Sequence, residues 1–315
     1  MNDPITNHTT TYAIETKQVS KSFGDLRALD NVSLHVRTGS IYGLIGDNGA
    51  GKSTFLKLLA GHIFPTSGEI RLFGQFEEKE LQRCRKQTGI MVEQPGLFPN
   101  MTVETTLEYY RIQKGIPGKE KVEEMLKLTK LTEKRKSKCK KLSLGQKQRL
   151  GLAIAMIGEP RLLILDEPIN GLDPSGIIEF RRLLHRLNEE KQITILLSSH
   201  ILTELQQTAT HFGFLSRGKL LDELSAEALA DKCADYLDIA VSDPETYAAL
   251  LTRHYPNASF RVLPDRTIQI RRCLEPEVYS RLAMENGLVI SALTRHQSSL
   301  EDYYMNLKNG GNKSC

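Results

Sequence analysis

The stretch GDNGAGKST, residues 46–54, decides the fold of this chain. It matches G-x-x-x-x-G-K-[ST] in full, directly after the apolar run IYGLI at 41–45 and at the start of a helical pattern over 52–60. Glycines in a turn between a buried strand and a helix let backbone N–H groups point at a phosphate chain, and the helix N-terminus adds its dipole. A chance match in an ordinary glycine-rich turn would not predict the flanking strand and helix, so we expect a phosphate-binding loop.

Each side chain of this loop has a separate expected role. Lys52 supplies a positive charge for the β- and γ-phosphates, and the Ser53 hydroxyl is a candidate ligand for Mg²⁺. The candidate nucleotide-binding residues of the loop are Gly46, Asn48, Gly49, Gly51, Lys52, Ser53 and Thr54. The cofactors expected from this motif are ATP and Mg²⁺.

Two more apolar runs end in groups that fit phosphate chemistry. RLLILDEP (161–168) delivers Asp166, a candidate for holding Mg²⁺, and then Glu167, a candidate general base for an attacking water. The run ILLSSH ends at His200, which we expect beside Glu167 at the carboxyl edge of the sheet. The alternatives are plain strand-end charges and a structural histidine, and the phosphate-binding loop elsewhere in the chain favours the functional interpretation.

The order of elements along the chain predicts an α/β fold. Continuous apolar runs typical of buried parallel strands occur at 41–45, 88–92, 161–165 and 192–197. Helical patterns follow three of them, at 52–60, 175–190 and 201–208. Residues 102–158 carry helical periodicity with no clear strand, so we expect a helical insert between strands of a largely parallel sheet.

The C-terminal part of the chain has a different pattern. Over 233–307 the predicted order is βαββαβ, which is that of a small α+β, ferredoxin-like domain, followed by a final helix. No catalytic constellation occurs in this part. The ends, 1–11 and 308–315, are expected to be disordered, and the main domain is expected to cover 12–222.

Composition narrows the class of protein. A chain of 315 residues suits two domains, and a net charge of +4 is too mild to argue for a nucleic-acid partner. The five cysteines are scattered without CxxC spacing, which fits reduced thiols in the cytoplasm. We see no secretion signal, and no apolar run approaches the roughly 18 residues of a membrane helix, so any membrane role is expected to run through a partner.

The segment LSLGQKQRL (142–150), between the phosphate loop and RLLILDEP, places the chain among nucleotide-binding families. With the other motifs it resembles the ATP-binding cassette (ABC) proteins, whose signature is typically LSGGQ; the resemblance spans about 12–222. Ser143, Gly145 and Gln146 match that signature, whereas Leu144 replaces the first of its two central glycines. The implied fold is a P-loop NTPase cassette with a RecA-like core, an N-terminal antiparallel β part and a helical subdomain.

Other family elements fall in the expected order. Phe23 occupies the aromatic position that stacks on adenine, Asp173 lies in a D-loop-like NGLDP, and His200 matches the switch histidine. The Q-loop departs from the usual pattern, because Glu93 stands where glutamine is usual; the resemblance implies that it contacts Mg²⁺ or the attacking water. A shift of one residue would bring Gln94 there instead. Glutamate followed by xPGxxPNxT resembles the bacitracin-resistance and lantibiotic-immunity exporters.

The resemblance implies a mechanism that needs two cassettes, as a homodimer or paired with a second cassette. Each ATP would lie between the phosphate loop of one chain and Ser143, Gly145 and Gln146 of the other, with Glu167 activating water. The implied protein is the ATPase subunit of an exporter of a peptide antibiotic or similar amphipathic compound, bound at the inner face of the cell membrane through a separate permease. Soluble ABC ATPases of translation or DNA repair are the alternative, but they carry tandem cassettes or a long coiled coil.

Each of two segments, one rich in lysine and one apolar, allows two interpretations. The lysine-rich segment KRKSKCKK (134–141) is either a solvated loop or a contact for acidic lipids or an acidic partner segment. No aromatic residues interleave it, so we expect no nucleic-acid partner. Phe98, Pro99 and Met101 either belong to a packed loop or, as the resemblance implies, to a groove for a helix of the permease.

Overall fold

A computed structural model describes residues 11–92, 96–233, 235–256, 258–271, 275–296 and 299–309. The chain divides into two compact units, between Ala226 and Glu227. Residues 1–10 and 310–315, which make up most of the ends predicted to be disordered, lie outside the described residues. Within the described ranges, no helix is both long and apolar enough to cross a bilayer.

The described residues of the first unit form ten strands. They are β1 (Tyr12–Phe23), β2 (Leu26–Val32), β3 (His35–Arg37), β4 (Ile41–Ile45), β5 (Ser67–Leu72), β6 (Thr88–Met91), β7 (Leu162–Asp166), β8 (Thr194–Ser199), β9 (His211–Ser216) and β10 (Lys219–Ser225). Its helices are α1 (Lys52–Ala60), α2 (Glu78–Lys86), α3 (Val103–Gln113), α4 (Glu120–Leu128), α5 (Leu144–Met156), α6 (Pro174–Lys191) and α7 (Leu202–Gln206).

A six-stranded sheet positions the predicted site. Its order is β10-β9-β4-β8-β7-β6, with β10 antiparallel to β9 and the other pairs parallel. Every residue of β4 and β8 is buried, as expected of strands covered by helices on both faces. The register pairs Ile45 with Ser199 and Asp166 with Ser198, so the carboxyl ends of β4, β7 and β8 meet at one edge.

The predicted α/β class with a largely parallel sheet is confirmed. The four strands that the apolar runs predict all occur, with ends displaced by at most two residues. A second, antiparallel sheet has the order β2-β1-β3, and β5 also pairs with β1, in keeping with the implied N-terminal β part. Leu29, Val36 and Leu72 of this sheet join one apolar core with Phe55 and Leu56 of α1.

Residues 102–158 contain α3, α4 and α5 and no strand longer than an isolated bridge. The lysine-rich segment 134–141 lies alongside the start of α3, because Glu104 N donates to Arg135 O and Val103 N to Ser137 O. The five lysines of this segment have exposed side chains, at positions 134, 136, 138, 140 and 141.

The second unit begins with α8 (Ala226–Lys232) near the boundary and continues as an α+β domain. Its strands are β11 (Tyr236–Val241), β12 (Ser259–Val262), β13 (Ile268–Arg271) and β14 (Ile290–His296), and its other helices are α9 (Pro244–His254), α10 (Pro276–Glu285) and α11 (Leu300–Lys308). The sheet is antiparallel in the order β12-β13-β11-β14, which is the ferredoxin-like order predicted from βαββαβ.

One face of this second sheet is closed by α9 and α10. Leu237 and Ile239 of β11 are fully buried in a core with Tyr247 and Tyr279. The Tyr247 hydroxyl donates to the Tyr279 carbonyl at 2.8 Å, so the buried phenol is satisfied. Burial raises the pKa of Tyr247, which keeps it a neutral donor.

Candidate functional site

The phosphate-binding loop runs from the end of β4 to the start of α1, and two of its glycines are required by close approach. Gly51 caps α1 in a left-handed conformation at φ 106°. A Cβ on Gly51 would lie 2.8 Å from the Ala28 carbonyl oxygen. A Cβ on Gly46 would lie 2.6 Å from the Leu215 carbonyl oxygen. The backbone can therefore take this path only without side chains at these two positions.

Lys52 is the first residue of α1, where the loop ends, and it is only 5% exposed. Its ammonium donates to the carbonyls of Gly46 at 2.7 Å and Asp47 at 3.1 Å. Glu167 Oε1 lies 3.5 Å from the same nitrogen. Two carbonyls and one carboxylate thus face the three donors of this buried ammonium and fix its position at the start of α1.

The remaining loop residues differ in exposure. Asn48 and Gly49 are exposed in the turn, and Gly49 has φ 80°. Ser53 is exposed in the first turn of α1, and Thr54 is half-buried. The Ser53 hydroxyl is thus open to solvent at the N-terminus of a helix, where an anion such as a phosphate group is favoured.

Asp166 and Glu167 are both held by one serine of the neighbouring strand. Ser198 Oγ donates to Asp166 Oδ1 at 2.5 Å and accepts from the backbone N–H of Glu167 at 3.0 Å. Ser198 is completely buried in β8, opposite Asp166 in the parallel register. This hydroxyl therefore fixes both the side chain of Asp166 and the backbone that carries Glu167.

Glu167 has a left-handed backbone, with φ 45°, and its carboxylate faces three partners. Oε2 lies 3.0 Å from His200 Nδ1 and accepts from Asn170 Nδ2 at 3.0 Å, whereas Oε1 faces the Lys52 ammonium. The Glu167 side chain is 23% exposed, which leaves it in reach of water. A positive φ on a non-glycine residue is strained, and such strain is concentrated at functional sites.

Ser198 and Asn170 were not among the residues predicted from the sequence. The sequence did contain signals for both residues. Ser198 is a polar residue inside an apolar strand, and Asn170 is the first residue of the D-loop-like segment NGLDP. Assigning them requires the register of β7 against β8 and the path of the turn after Glu167, which short-range patterns do not supply.

Replacing Ser198 with alanine is expected to lower ATP turnover by about 10- to 100-fold, because Asp166 and Glu167 lose their common anchor. The unfolding free energy should also fall by about 1–3 kcal/mol, since the Glu167 N–H loses its partner. Steady-state ATPase assays and thermal melting test this. Ser199→Ala is the matched control, because Ser199 Oγ accepts from Ile201 N and contacts neither carboxylate. Equal effects of the two substitutions would contradict the assignment.

The signature residues form the start of α5. Ser143 is the N-cap: its Oγ accepts from Gln146 N at 3.3 Å, and the Gln146 side chain accepts from Ser143 N at 3.1 Å. A Cβ on Gly145 would lie 3.5 Å from Leu172 Cδ2, so the Leu172 side chain packs against the helix backbone at this position. The reciprocal cap explains how a serine and a glutamine three residues apart begin this helix.

Asp173 caps the next long helix, α6. Its Oδ2 accepts from Ser175 Oγ at 2.5 Å, and this hydrogen bond holds the pKa of the exposed Asp173 carboxyl below its ordinary value. Because the folded-state pKa is lowered, this contribution to stability is present at neutral pH and is lost as the pH falls through that pKa.

The predicted residues divide between two clefts. The first has a volume of about 800 Å³ and is lined by Ser53, Leu97, Pro99, Cys139, Lys140, Leu144, Lys147, Gln148, Asp166, Glu167, Asn170 and Gly171. The second, of about 390 Å³, is lined by Ser143, Leu144, Gly145, Gln146, Arg149, Gly171, Leu172, Asp173, Ser175, Gly176 and Glu179. Ser53, Asp166 and Glu167 thus line one space, and Ser143, Gly145, Gln146 and Asp173 line another.

Several predicted residues belong to neither lining, among them Lys52 and His200, which both contact Glu167, and Phe23. Phe23, at the end of β1, is 49% exposed, with the Lys21 ammonium 4.9 Å from its ring centroid. An exposed aromatic face is free to stack on a flat ring. Glu93 and Gln94, the two candidates for the Q-loop position, lie outside the described residues.

The donor set suits Mg²⁺ rather than a softer metal. Ser53 and Asp166 line the same cleft and offer a hydroxyl and a carboxylate oxygen, which are hard ligands. Asp166 Oδ1 is hydrogen-bonded to Ser198, which leaves Oδ2 for a cation or its water. Among the described residues no group of three or more His, Cys, Asp or Glu could hold a metal alone, so the ion would depend on phosphate and water for its other ligands.

Comparison with known proteins agrees with this geometry. The ABC transporter family matches residues 29–170. The bacitracin transport ATP-binding protein BcrA of Bacillus licheniformis is 39% identical over 95% of this chain and 98% of its own length. The chain belongs to the ATP-binding proteins of ABC transporters. It is an ATPase, and the expected soluble alternative in translation or DNA repair is not favoured by these relatives.

Two further relatives extend the comparison. The lantibiotic transport ATP-binding protein SrtF of Streptococcus pyogenes is 39% identical over 67% of this ABC protein and 90% of its own length. The ATP-binding cassette MJ0796, in a dimeric post-hydrolysis state bound to ADP and Pi, superposes with a TM-score of 0.62 at 27% identity. That structure covers 68% of this chain and 98% of its own, and it confirms the predicted cassette fold.

Proposed function

We propose that two copies of this ATPase bind two ATP molecules between them, head to tail. The observation that carries the proposal is the division of the site: Ser53, Asp166 and Glu167 line one cleft, whereas Ser143 and Gly145 line another. One chain alone therefore offers two half-sites with different chemistry. The relative MJ0796 is a dimer with ADP and Pi bound, which is consistent with such a pairing.

Within one half-site the chain's own residues bind phosphate and prepare water. The loop amides and Lys52 hold the β- and γ-phosphates, and Phe23 stacks on adenine. Glu167 accepts the proton of the attacking water, while His200 and Asn170 hold its Oε2 in place. Ser53 and Asp166 would hold Mg²⁺, which neutralises phosphate charge when bound. Glu93 is the remaining candidate for a contact with Mg²⁺ or with the attacking water.

The other half-site serves the partner's nucleotide. Ser143 and Gly145 line the second cleft at the N-terminus of α5, where the first backbone N–H groups of a helix have no partner within the helix, and Ser143 adds a hydroxyl. Such a terminus attracts a γ-phosphate without any reactive side chain. Gln146 and Asp173 lie in the same cleft and would complete the contact with the second chain.

The transported compound is proposed to be a peptide antibiotic of the bacitracin or lantibiotic kind, or a similar amphipathic molecule. Support comes from BcrA, a bacitracin transport protein whose similarity extends through both units of this chain. SrtF, a lantibiotic transport protein, matches about two thirds of it. The broader similarity favours bacitracin-like cargo as the first compound to test.

We place the dimer at the cytoplasmic face of the cell membrane, attached to a separate permease. Aromatic rings near the first cleft suit a docking helix: Phe98 lies 4.9 Å from Tyr109 and 6.3 Å from Tyr110, centroid to centroid. Tyr109 is 43% exposed, and Pro99 lines the cleft beside this cluster. Opening and closing of the ATP dimer would then be transmitted to the permease.

Purification of the chain with its membrane partner tests this proposal. In vesicles containing both proteins, bacitracin is expected to raise the ATPase rate and to be transported in an ATP-dependent manner, whereas an unrelated soluble peptide should do neither. A lantibiotic forms the second arm. If the chain purifies without an integral membrane protein, or if neither antibiotic changes its ATPase rate, the exporter assignment is contradicted while the ATPase assignment stands.

A further inference from the structure

Leu144 stands at a place where the two clefts meet. Both clefts are lined by Leu144 and by Gly171, so these two residues form a wall between the phosphate side and the signature side. The Leu144 side chain is 47% exposed at the first position of α5. The typical LSGGQ signature has a glycine here, so the leucine side chain is an addition relative to that pattern.

The side chain packs against the turn that follows Glu167. A Cβ on Gly171 would lie 2.7 Å from Leu144 Cδ2, so the leucine methyl covers the Gly171 backbone. Gly171 has φ 73°, a conformation that favours glycine. On the next residue, Leu172 Cδ2 faces the Gly145 backbone. The first turn of α5 therefore rests on residues 171 and 172.

This turn is connected to Glu167 by two hydrogen bonds. Asn170 N donates to the Glu167 carbonyl at 3.2 Å, and Asn170 Nδ2 donates to Glu167 Oε2 at 3.0 Å. Gly171, which Leu144 covers, thus directly follows Asn170, which orients the Glu167 carboxylate. A shift of the signature helix would reach Glu167 through Leu144, Gly171 and Asn170.

We propose that Leu144 is a positioning residue that links the signature of a chain to Glu167 of the same chain. The inference rests on the proposed function, in which the signature binds the partner's ATP while Glu167 hydrolyses the chain's own. Leu144 then couples one nucleotide site to the other by direct packing. When the partner's ATP binds at the signature, Leu144 presses on the turn that contains Asn170, and Asn170 in turn contacts Glu167.

The test is a double-mutant cycle on the full-length chain, with Leu144→Ala and Asn170→Ala. Each substitution is expected to lower kcat by about 10-fold with the KM for ATP unchanged, because geometry at Glu167 is lost and nucleotide binding is not. If Leu144 acts through Asn170, the double variant falls no further than the slower single variant. Leu144→Met, which keeps an apolar chain of similar length, is expected to restore most of the rate.

Ile112→Ala is the matched control, since Ile112 is also an exposed apolar residue on a helix and lines neither cleft. It should leave kcat unchanged. An unchanged kcat in Leu144→Ala, or losses that simply multiply in the double variant, would overturn the inference. Full activity of Glu167→Gln would instead overturn the proposed function, so the two failures are distinguishable.

Discussion

A chain carrying Glu167→Gln is expected to bind ATP normally and to lose about 10²- to 10⁴-fold of its hydrolysis rate, the usual contribution of a general base. Glutamine keeps the size of glutamate and can still accept from Asn170 and contact His200, so the site should keep its shape. The change removes the group that takes a proton from water. With ATP bound and not hydrolysed, the variant should accumulate as a dimer on size-exclusion chromatography.

The control is Glu190→Gln, an exposed carboxylate near the end of α6 that lines neither cleft. It should hydrolyse ATP at the wild-type rate and show no ATP-dependent dimer. Retention of full activity by Glu167→Gln would contradict its assignment as the base. Loss of nucleotide binding in that variant would contradict the view that the carboxylate acts on water only.

Lys52→Ala is expected to weaken ATP binding itself. Hydrogen bonds to charged groups contribute about 1.5–3 kcal/mol, which corresponds to an increase in Kd of about 10- to 100-fold. The Lys52 ammonium is buried and already oriented by the carbonyls of Gly46 and Asp47, so no other described cation of the loop can take its place. Titration with a fluorescent ATP analogue measures the change.

Lys79→Ala provides the comparison, because this lysine is exposed on α2 and lines neither cleft. It should leave the Kd for ATP unaltered. Thermal melting of Lys52→Ala without nucleotide verifies that the fold persists. An unchanged Kd in a folded Lys52→Ala chain would show that the loop does not bind phosphate in the manner described.

Local patterns predicted the parts of the fold that local physics controls. β4 and α1 occur at the residues that the apolar run and the helical pattern indicated, since a buried strand followed by a glycine turn leaves little freedom. The strand expected at 192–197 is Thr194–Ser199 instead. Gln192 takes a left-handed conformation at the end of α6, and the strand continues through Ser198 and Ser199 because both buried hydroxyls have hydrogen-bond partners.

The candidate site was only partly predictable, because some of its contacts depend on how distant segments pack together. Glu167 and His200 stand at the ends of apolar runs, and parallel strands bring such ends together, so their 3.0 Å contact follows from pattern and topology. Ser198 reaches Asp166 only through the register of β7 and β8, and Leu144 reaches Gly171 only through the packing of α5 on the turn. Neither of these two contacts can be predicted from a short stretch of sequence.

Mixing two inactive variants tests the composite site most directly. Lys52→Ala disables the phosphate loop, and Gly145→Asp sets a negative charge against the partner's γ-phosphate while suiting the first turn of α5. In a mixed dimer one nucleotide site carries both defects and the other carries none. The account predicts that an equal mixture regains about a quarter of the wild-type ATPase rate, since half of the dimers are mixed and each has one intact site. A mixture as inactive as its components would contradict it.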